Sequence, residues 1–411
     1  MKKTKVFYGW VMAACCCLMV CATSLLSSGM STNLAIIRQT YGFSGTQTSS
    51  ILTIRAATAF VAALFSGKYY ELLGLKKGML GAMLLGILSF LLFTLAGTRL
   101  WVYYLAGCIA GLTYTYGMML PSAMLLRRWF NKGLGTALAI ASGGTGLVSI
   151  VFAPLVQSVC NKTGIRSAFL LQAGVFLITG ILLALLIAET PEEKGLEIRG
   201  GSGEAAALKK KKISSRRCTL KDSWHIALVI GVIFIGMSAS PASAHYTLNF
   251  TTEGIDPMAF AKVLSVYGII ILCSKIFLFG PCTDKIGPLP SSLIFGTVTF
   301  FGMFFCFLTI KYPTIQWAYF SMSFVAIGVV MQTLCYPNWC AELDTEHYDK
   351  TLQHCQTGYQ FGALIGSPIP GILADVTGSY TWAYLMFSAD TVIALLLAIG
   401  AYKFGRKYLD E

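Results

Sequence analysis

Basic side chains stand inside apolar stretches of this 411-residue chain at three positions, Arg55, Lys262 and Lys275. A cation at the centre of a bilayer costs about 3 kcal/mol or more, so it normally faces a cavity or a partner, and in a cavity it can bind an anion. Arg55 either supplies such a charge or braces its helix against backbone carbonyls. Lys275 either binds an anion, extends toward the membrane surface or pairs with an acid. Lys262, near the end of its stretch, is expected to extend to the surface.

Side chains that form hydrogen bonds accompany these cations. Tyr114, Tyr116 and Tyr336 can place a hydroxyl in a cavity or simply pack. His245 can hydrogen-bond within the helices or carry a proton near physiological pH. Asp390 also lies in an apolar stretch, and its sequence context indicates no role. The 13 cysteines have no spacing typical of a metal site, and no pattern indicates catalysis or a cofactor.

The elements that position these residues are helices long enough to cross a membrane. The chain is 55% hydrophobic and 12% charged, against about a quarter charged in a soluble domain. A helix needs about 20 apolar residues to cross the hydrocarbon. Twelve stretches meet that length and are numbered here as spans 1 to 12: 8–32, 46–67, 77–97, 100–125, 134–158, 166–188, 224–249, 258–280, 289–310, 315–337, 353–374 and 380–402. The sequence therefore predicts an all-α membrane protein with twelve transmembrane helices.

A polar stretch between spans 6 and 7 predicts the domain organisation. We expect an N-terminal six-helix bundle over 1–188, a flexible cytoplasmic linker over 189–223 and a C-terminal six-helix bundle over 224–411. Of the 31 Lys and Arg residues, 23 fall on the side of the termini and five in the loops on the other side. This skew predicts that both termini are cytoplasmic, and it explains the net charge of +13 without nucleic acid.

The two halves of the chain repeat each other. Five matching pairs occur in the same order, 213 to 216 positions apart: Trp10 and Trp224, Gly67 and Gly280, Trp101 and Trp317, Pro121 and Pro337, Gly164 and Gly378. Parallel repeats of six helices are a transporter architecture. The repeat therefore predicts two pseudo-symmetric bundles.

Two short loops carry the clearest motif of the repeat, in which glycines frame an acid and a base. The first copy comprises Gly67, Glu71, Gly74 and Lys76, and the second comprises Gly280, Asp284, Lys285 and Gly287. This motif resembles the loop signature of the major facilitator superfamily. The resemblance implies glycine turns and an acid that caps a helix or pairs with a base, which locks the outward-facing state. The first copy departs from the signature, because Glu71 replaces the usual Asp and Leu72 stands where a base is common.

Longer stretches narrow the resemblance to the monocarboxylate and oxalate/formate porter group. The stretches that are similar to it are FYGW (7–10), RRWFNKGLGTALAIASGGTG (127–146), HYTLNFTTEGI (245–255) and GILADVTGSY (371–380). The resemblance implies a small organic anion as substrate, a basic residue on span 8 that binds its carboxylate, and a role for His245 in reaching it. In that family the basic residue lies four positions before the loop glycine. Lys275 lies five positions before Gly280, so its register is one residue off.

These features together predict a secondary transporter that moves a small monocarboxylate by alternating access. The expected binding residues are Lys275, Arg55, His245, Tyr114 and Tyr336, and the coupled partner is a proton or a counter-anion. Oxalate-carrying members place a lysine on span 11, and residues 357–371 contain no base, so a monoanion is expected rather than a dianion. The alternatives are a transporter of the same superfamily for a neutral solute, an amino acid or a drug, and a non-transporting receptor. The predicted cavity has no obvious acid, which disfavours export of cationic drugs.

We expect the protein to act as a monomer in the inner membrane of a cell, in contact with the lipid bilayer. No enzyme activity, metal, cofactor or nucleic-acid partner is predicted.

Overall fold

The computed structural model describes residues 7–43, 45–199, 222–252 and 254–407. The chain divides into two compact units, unit 1 (Met1–Arg216) and unit 2 (Arg217–Glu411). The helices of unit 1 are α1 Gly9–Ser24, α2 Met30–Tyr41, α3 Gly45–Leu73, α4 Leu75–Ala96, α5 Leu100–Gly117, α6 Met119–Trp129, α7 Leu134–Leu147, α8 Ala153–Thr163 and α9 Ile165–Leu186. Those of unit 2 are α10 Ser223–Thr252, α11 Pro257–Cys273, α12 Gly280–Ile286, α13 Pro288–Lys311, α14 Ile315–Gly328, α15 Val330–Leu343, α16 Tyr348–Gly366, α17 Ile369–Thr377 and α18 Thr381–Lys407.

Two of the helical passages contain a π turn, a stretch with one extra residue per turn. Residues Val148–Phe152 form a π turn between α7 and α8, and Ser274–Phe279 form one between α11 and α12. Residues Pro191–Lys194 add a short 3₁₀ helix after α9. This 3₁₀ helix falls within the stretch expected to be the linker, whose boundaries stay a prediction.

In the described part of the chain, ten helical segments are long and apolar enough to cross a membrane. They correspond to spans 2 to 10 and span 12. Span 1 begins as the shorter apolar helix α1, and span 11 is divided between α16 and α17. Helix α16 is less apolar because it carries buried amides such as Gln356 and Gln360. The predicted class, an all-α membrane protein, is confirmed.

Glycines set the closest contacts between helices. A methyl group on Gly144 of α7 would meet the backbone of α1 at Cys17 and Cys21, and one on Gly362 of α16 would meet the carbonyl oxygen of Ile233 on α10. Apolar side chains gain little by leaving lipid, so helices in a membrane associate mainly through such close packing. The small residues of this chain therefore decide which helices touch.

Aromatic side chains also pack between helices. In unit 1, Phe90 and Phe93 of α4 lie 5.8 Å from Phe176 and 5.6 Å from Phe169 of α9, respectively, between ring centroids. In unit 2, the rings of Phe250 and Phe260 stack at 4.9 Å. These rings are fully buried, and they join α4 to α9 in unit 1 and the consecutive helices α10 and α11 in unit 2.

Buried polar side chains of unit 1 bond to each other across helices. The amides of Asn33 on α2 and Gln172 on α9 exchange two hydrogen bonds of 2.9 Å and 3.0 Å, and both are 1% exposed. Asp390 of α18 is a contrasting case in unit 2, since its Oδ2 is buried without a hydrogen-bond partner among the described residues.

We predict that Gly362→Ala destabilises the protein by about 2 kcal/mol, because overpacking a close backbone contact costs about 1–3 kcal/mol. The matched control is Gly400→Ala in α18, where an added methyl meets nothing within 4 Å. That change should be neutral or slightly stabilising, since alanine favours a helix over glycine. The measurement is the melting temperature of both variants in detergent, and equal values would contradict the packing described above.

Candidate functional site

Lys275 lies in the π turn that joins α11 to α12. The N–H of Gly280 donates to the carbonyl oxygen of Lys275, a bond that spans five residues instead of the four of an α-helix. A residue five positions before the glycine therefore occupies the place that a residue four positions before it would have in an α-helix. The π turn thus absorbs the one-residue offset noted in the sequence.

The side chain of Lys275 is buried. It is 2% exposed, and its neighbours Ser274 and Phe279 are 2% and 0% exposed. A lysine that extended along the surface would expose its ammonium group, as Lys262 on α11 does. The account in which Lys275 reaches the membrane surface is therefore wrong for this conformation.

Arg55 and Tyr114 come together in unit 1. The guanidinium carbon of Arg55 lies 5.2 Å from the centroid of the Tyr114 ring, a cation–π contact between α3 and α5. Gly111 permits this approach, because a methyl group there would lie 2.5 Å from the carbonyl oxygen of Arg55. The Nε of Arg55 is buried without a hydrogen-bond partner in the described part of the chain. This donor remains available to an anion.

Tyr336 lies on a helix that contacts the segment of Lys275. Its helix, α15, packs against the π turn that holds Lys275. The hydroxyl of Tyr336 donates to Oε1 of Gln356 on α16, and its ring centroid is 6.0 Å from that of Tyr359. The hydroxyl proton is therefore used between helices, and a contact of Tyr336 with substrate stays a prediction.

Two other residues from the sequence analysis have different outcomes. His245 falls within α10, and its side chain lies outside the described part of the structure. The ring of Tyr116 stacks on that of Tyr69 with 4.0 Å between centroids, so Tyr116 serves packing. Sequence analysis missed Gln360 on α16, whose Nε2 is buried and has no partner among the described residues.

The first glycine–acid–glycine–basic loop is held by an acid that lies outside the motif. Gly74 has a φ of +75° and makes the turn between α3 and α4, whereas Gly67 is inside α3. The backbone N–H of Lys76, in the first turn of α4, donates to Oε1 of Glu189 at 2.8 Å. Glu71 itself is exposed. A carboxylate at a helix N-terminus satisfies a free N–H and the helix dipole, and here Glu189 does this.

Glu189 also forms an ion pair with Arg128 in the last turn of α6. Nη1 of Arg128 lies 3.3 Å from Oε2 of Glu189, and Nζ of Lys76 donates to the carbonyl oxygen of Ile187 at 2.9 Å. Three segments of unit 1 therefore meet at one carboxylate. The sequence analysis assigns Glu189 only to the start of the linker, and the available signal is an acid directly after an apolar span.

The second loop makes the same glycine turn, but a hydrogen bond between two hydroxyls holds it instead of a carboxylate. Gly287 has a φ of +95° between α12 and α13, whereas Gly280 is helical and buried. The hydroxyls of Thr283 and Ser291 bond across the turn at 3.0 Å. Asp284 and Lys285 are exposed. In each unit a glycine with positive φ makes the turn. A gating role of the motif residues stays a prediction.

The FYGW and RRWF stretches pack together in unit 1. The ring centroid of Phe7 lies 6.0 Å from Trp129 and 5.6 Å from Phe130. The guanidinium carbon of Arg199 lies 4.7 Å from the ring centroid of Trp10, and the N–H of Arg199 donates to the carbonyl oxygen of Trp129. Residues 189–199 are thus held against the ends of α1 and α6.

Comparison with known proteins gives one family for this arrangement. A family model described as the Major Facilitator Superfamily matches residues 16–353. Monocarboxylate transporter 12 of Mus musculus is 23% identical over 417 residues, which cover 95% of this chain and 84% of that protein. Monocarboxylate transporter 13 of Bos taurus is 25% identical over 337 residues, which cover 77% of this chain and 71% of that protein.

A solved structure shows the same fold. The MFS proton:xylose symporter XylE, bound to 6-bromo-6-deoxy-D-glucose, aligns with a TM-score of 0.77 and covers 95% of this chain and 94% of that chain. The identity is 14%, so this likeness concerns the fold alone. The predicted fold of two pseudo-symmetric six-helix bundles is confirmed by this match.

We predict that Glu189→Ala lowers the stability of the protein by about 1 kcal/mol, because α4 loses its cap and Arg128 its partner. The matched control is Glu197→Ala, an exposed acid in the same segment. Surface changes of that kind usually stay within about 0.5 kcal/mol. The melting temperatures of the two variants in detergent decide the matter, and a control that is as unstable as Glu189→Ala would refute the role of Glu189.

Proposed function

Because this chain belongs to the Major Facilitator Superfamily, a family of membrane transporters and not of enzymes, we propose that it carries a small monocarboxylate across the membrane. Transporters with this repeat work by alternating access, with a substrate site near the bilayer midplane. Proton symport and exchange against another anion both balance the charge of a carboxylate. The skew of Lys and Arg supports an orientation with both termini in the cytoplasm.

The single observation that carries this proposal is the buried ammonium of Lys275 in its π turn. Desolvating a lysine is costly unless an anion or polar groups compensate it. A substrate carboxylate that binds beside this charge is strongly attracted, because little water screens the pair. The extra residue of the π turn supports the register in which porters of the resembled group hold their substrate carboxylate. The relatives named monocarboxylate transporters support the same class of solute.

Arg55 offers a further contact to an anion. A guanidinium presents its N–H groups in one plane, in a geometry that matches a carboxylate. The Tyr114 ring lies against the guanidinium at 5.2 Å and leaves the donors at its edge free of the ring. The unpartnered Nε among the described residues supports a role in binding rather than in bracing α3.

The stretch of α16 that lacks a base supports a monoanion over a dianion. Residues 357–371 contain no Lys or Arg, and one neutral donor in this stretch is the Nε2 of Gln360, which is buried without a partner among the described residues. A neutral amide donor suits an uncharged substrate oxygen, such as a hydroxyl or keto group, better than a second carboxylate. We therefore propose a monocarboxylate that carries one further polar oxygen.

We predict that Lys275→Gln abolishes stabilisation of the purified protein by its substrate, because the carboxylate loses its counter-charge. The measurement is the melting temperature with lactate, pyruvate, formate and the amides of lactate and pyruvate. A ligand at 100 times its dissociation constant stabilises the folded state by about 2.7 kcal/mol. Lys262→Gln is the matched control, since this exposed lysine lies on the same helical passage and should leave the shift intact. Equal stabilisation by an acid and its amide, or an unchanged shift in Lys275→Gln, would refute the anion site.

We also predict that deletion of Phe277 preserves the substrate response. This deletion turns the π turn into an α turn and leaves Lys275 on the same face of the helix. Deletion of Ile269 instead moves every residue from 270 to the π turn by one position relative to the start of α11. The second deletion rotates Lys275 by about 100° about the helix axis. Both residues are exposed, so each deletion removes little packing. If both variants fold but lose stabilisation by substrate, the idea that the π turn corrects the position of Lys275 relative to Gly280 is refuted.

A further inference from the structure

Helices α10 and α16 of unit 2 run parallel with a constant register. The contacts between them join His225 to His354, Val229 to Gly358, Ile233 to Gly362 and Met237 to Gly366, and each pair is 129 positions apart. Successive contacts are four residues apart, so each helix uses a single face. At three of these four contacts the partner on α16 is a glycine, and an added methyl at Gly362 or Gly366 would meet a carbonyl oxygen of α10.

The fourth contact is a pair of imidazoles. Nε2 of His225 lies 3.0 Å from Nδ1 of His354, and His225 is 0% exposed. One of the two nitrogens must donate and the other must accept, so a single proton fits between them. If both rings were cations, two N–H groups would face each other at this distance. The closed pair therefore binds fewer protons than two separated imidazoles do.

The charged surroundings of the pair are few and mixed in sign. Those that act on His225 from the described part of the chain are Asp222 before α10, Asp344 after α15 and Lys350 on α16. Helix α18 reaches this end through Gly405, which lies against Trp224. The carboxylate of Asp344 accepts from the backbone N–H of His347 at 2.8 Å and from the hydroxyl of Thr351 at 2.7 Å. Its carboxylate is thus occupied by donors other than the two rings.

We propose that the His225–His354 pair is a proton-binding site that releases this end of the α10–α16 contact when both rings become protonated. The separated state binds more protons, so acid favours it. Separated imidazoles titrate near a pKa of about 6.5. The contact is therefore intact above about pH 6.5 and weakens as the pH falls below that value.

Amide hydrogen exchange of the full-length protein in detergent, without substrate, tests this proposal. Protection factors of residues 224–232 are compared at about pH 7.5 and about pH 5.5, one unit on either side of an ordinary imidazole pKa. Each extra proton bound by the separated state should lower protection about tenfold over this interval. Protection that is the same at both pH values in the native protein would overturn the proposal.

Substitutions identify the groups responsible. His354→Gln and His225→Gln each remove one titrating ring and leave the other beside an amide, which can accept from a protonated ring. Both variants should therefore show a smaller pH response than the native pair, whatever their overall protection. His347→Gln and His245→Gln remove the other two of the four histidines and should keep the response. Since Nδ1 of His347 lies 3.6 Å from Oδ1 of Asp344, His347→Gln also reports whether this ion pair contributes. A response of native size in both His354→Gln and His225→Gln would overturn the proposal. The readout does not involve a carboxylate, so its outcome is separate from that of the proposed function.

Discussion

Hydrocarbon offers helices neither water to escape from nor hydrogen-bond partners, and this constraint underlies the rest of the structure. The helices of this protein hold together where glycine lets backbones touch, as at Gly144 between α1 and α7 and at Gly362 between α10 and α16. The same contacts position the polar groups. Gly111 brings α3 to α5 and sets Arg55 on Tyr114, while the glycines of α16 align His354 with His225. Close packing and the placement of buried polar groups are therefore two results of one pattern of small residues.

The π turn between α11 and α12 shows how a helix can change register without a break. One wider turn adds a residue, keeps the backbone bonded and rotates the next part of the helix. Lys275 is thereby turned inward although the sequence spacing puts it one position out of place. A charged residue inside a membrane normally faces the interior of the helix bundle or a water-filled cavity. The local widening of the helix is the feature that lets this lysine do so.

The sequence was sufficient to predict the fold class, the repeat and the family resemblance, because these depend on apolar length, charge skew and motifs. It also identified Lys275, Arg55 and Tyr114 as chemically unusual. It was insufficient for Glu189, whose partners Lys76 and Arg128 are brought near by the packing of distant segments. The π turn was equally out of reach, since no composition distinguishes it from the α-helix around it. The pairing of His225 with His354 depends on the register of two helices, which periodicity alone does not specify.

The glycine contacts also invert the usual ranking of amino-acid exchanges. Chemical similarity ranks alanine as the mildest replacement for glycine, and on most helical surfaces it improves the helix. At Gly236, Gly302 and Gly328 one added carbon meets backbone atoms of the next helix, which cannot move aside as a side chain can. Lipid-facing positions such as Leu185 and Leu396 are open to exchange among large apolar residues. In this protein a change from glycine to alanine at a helix contact is thus more damaging than an exchange of one large apolar residue for another at an exposed position.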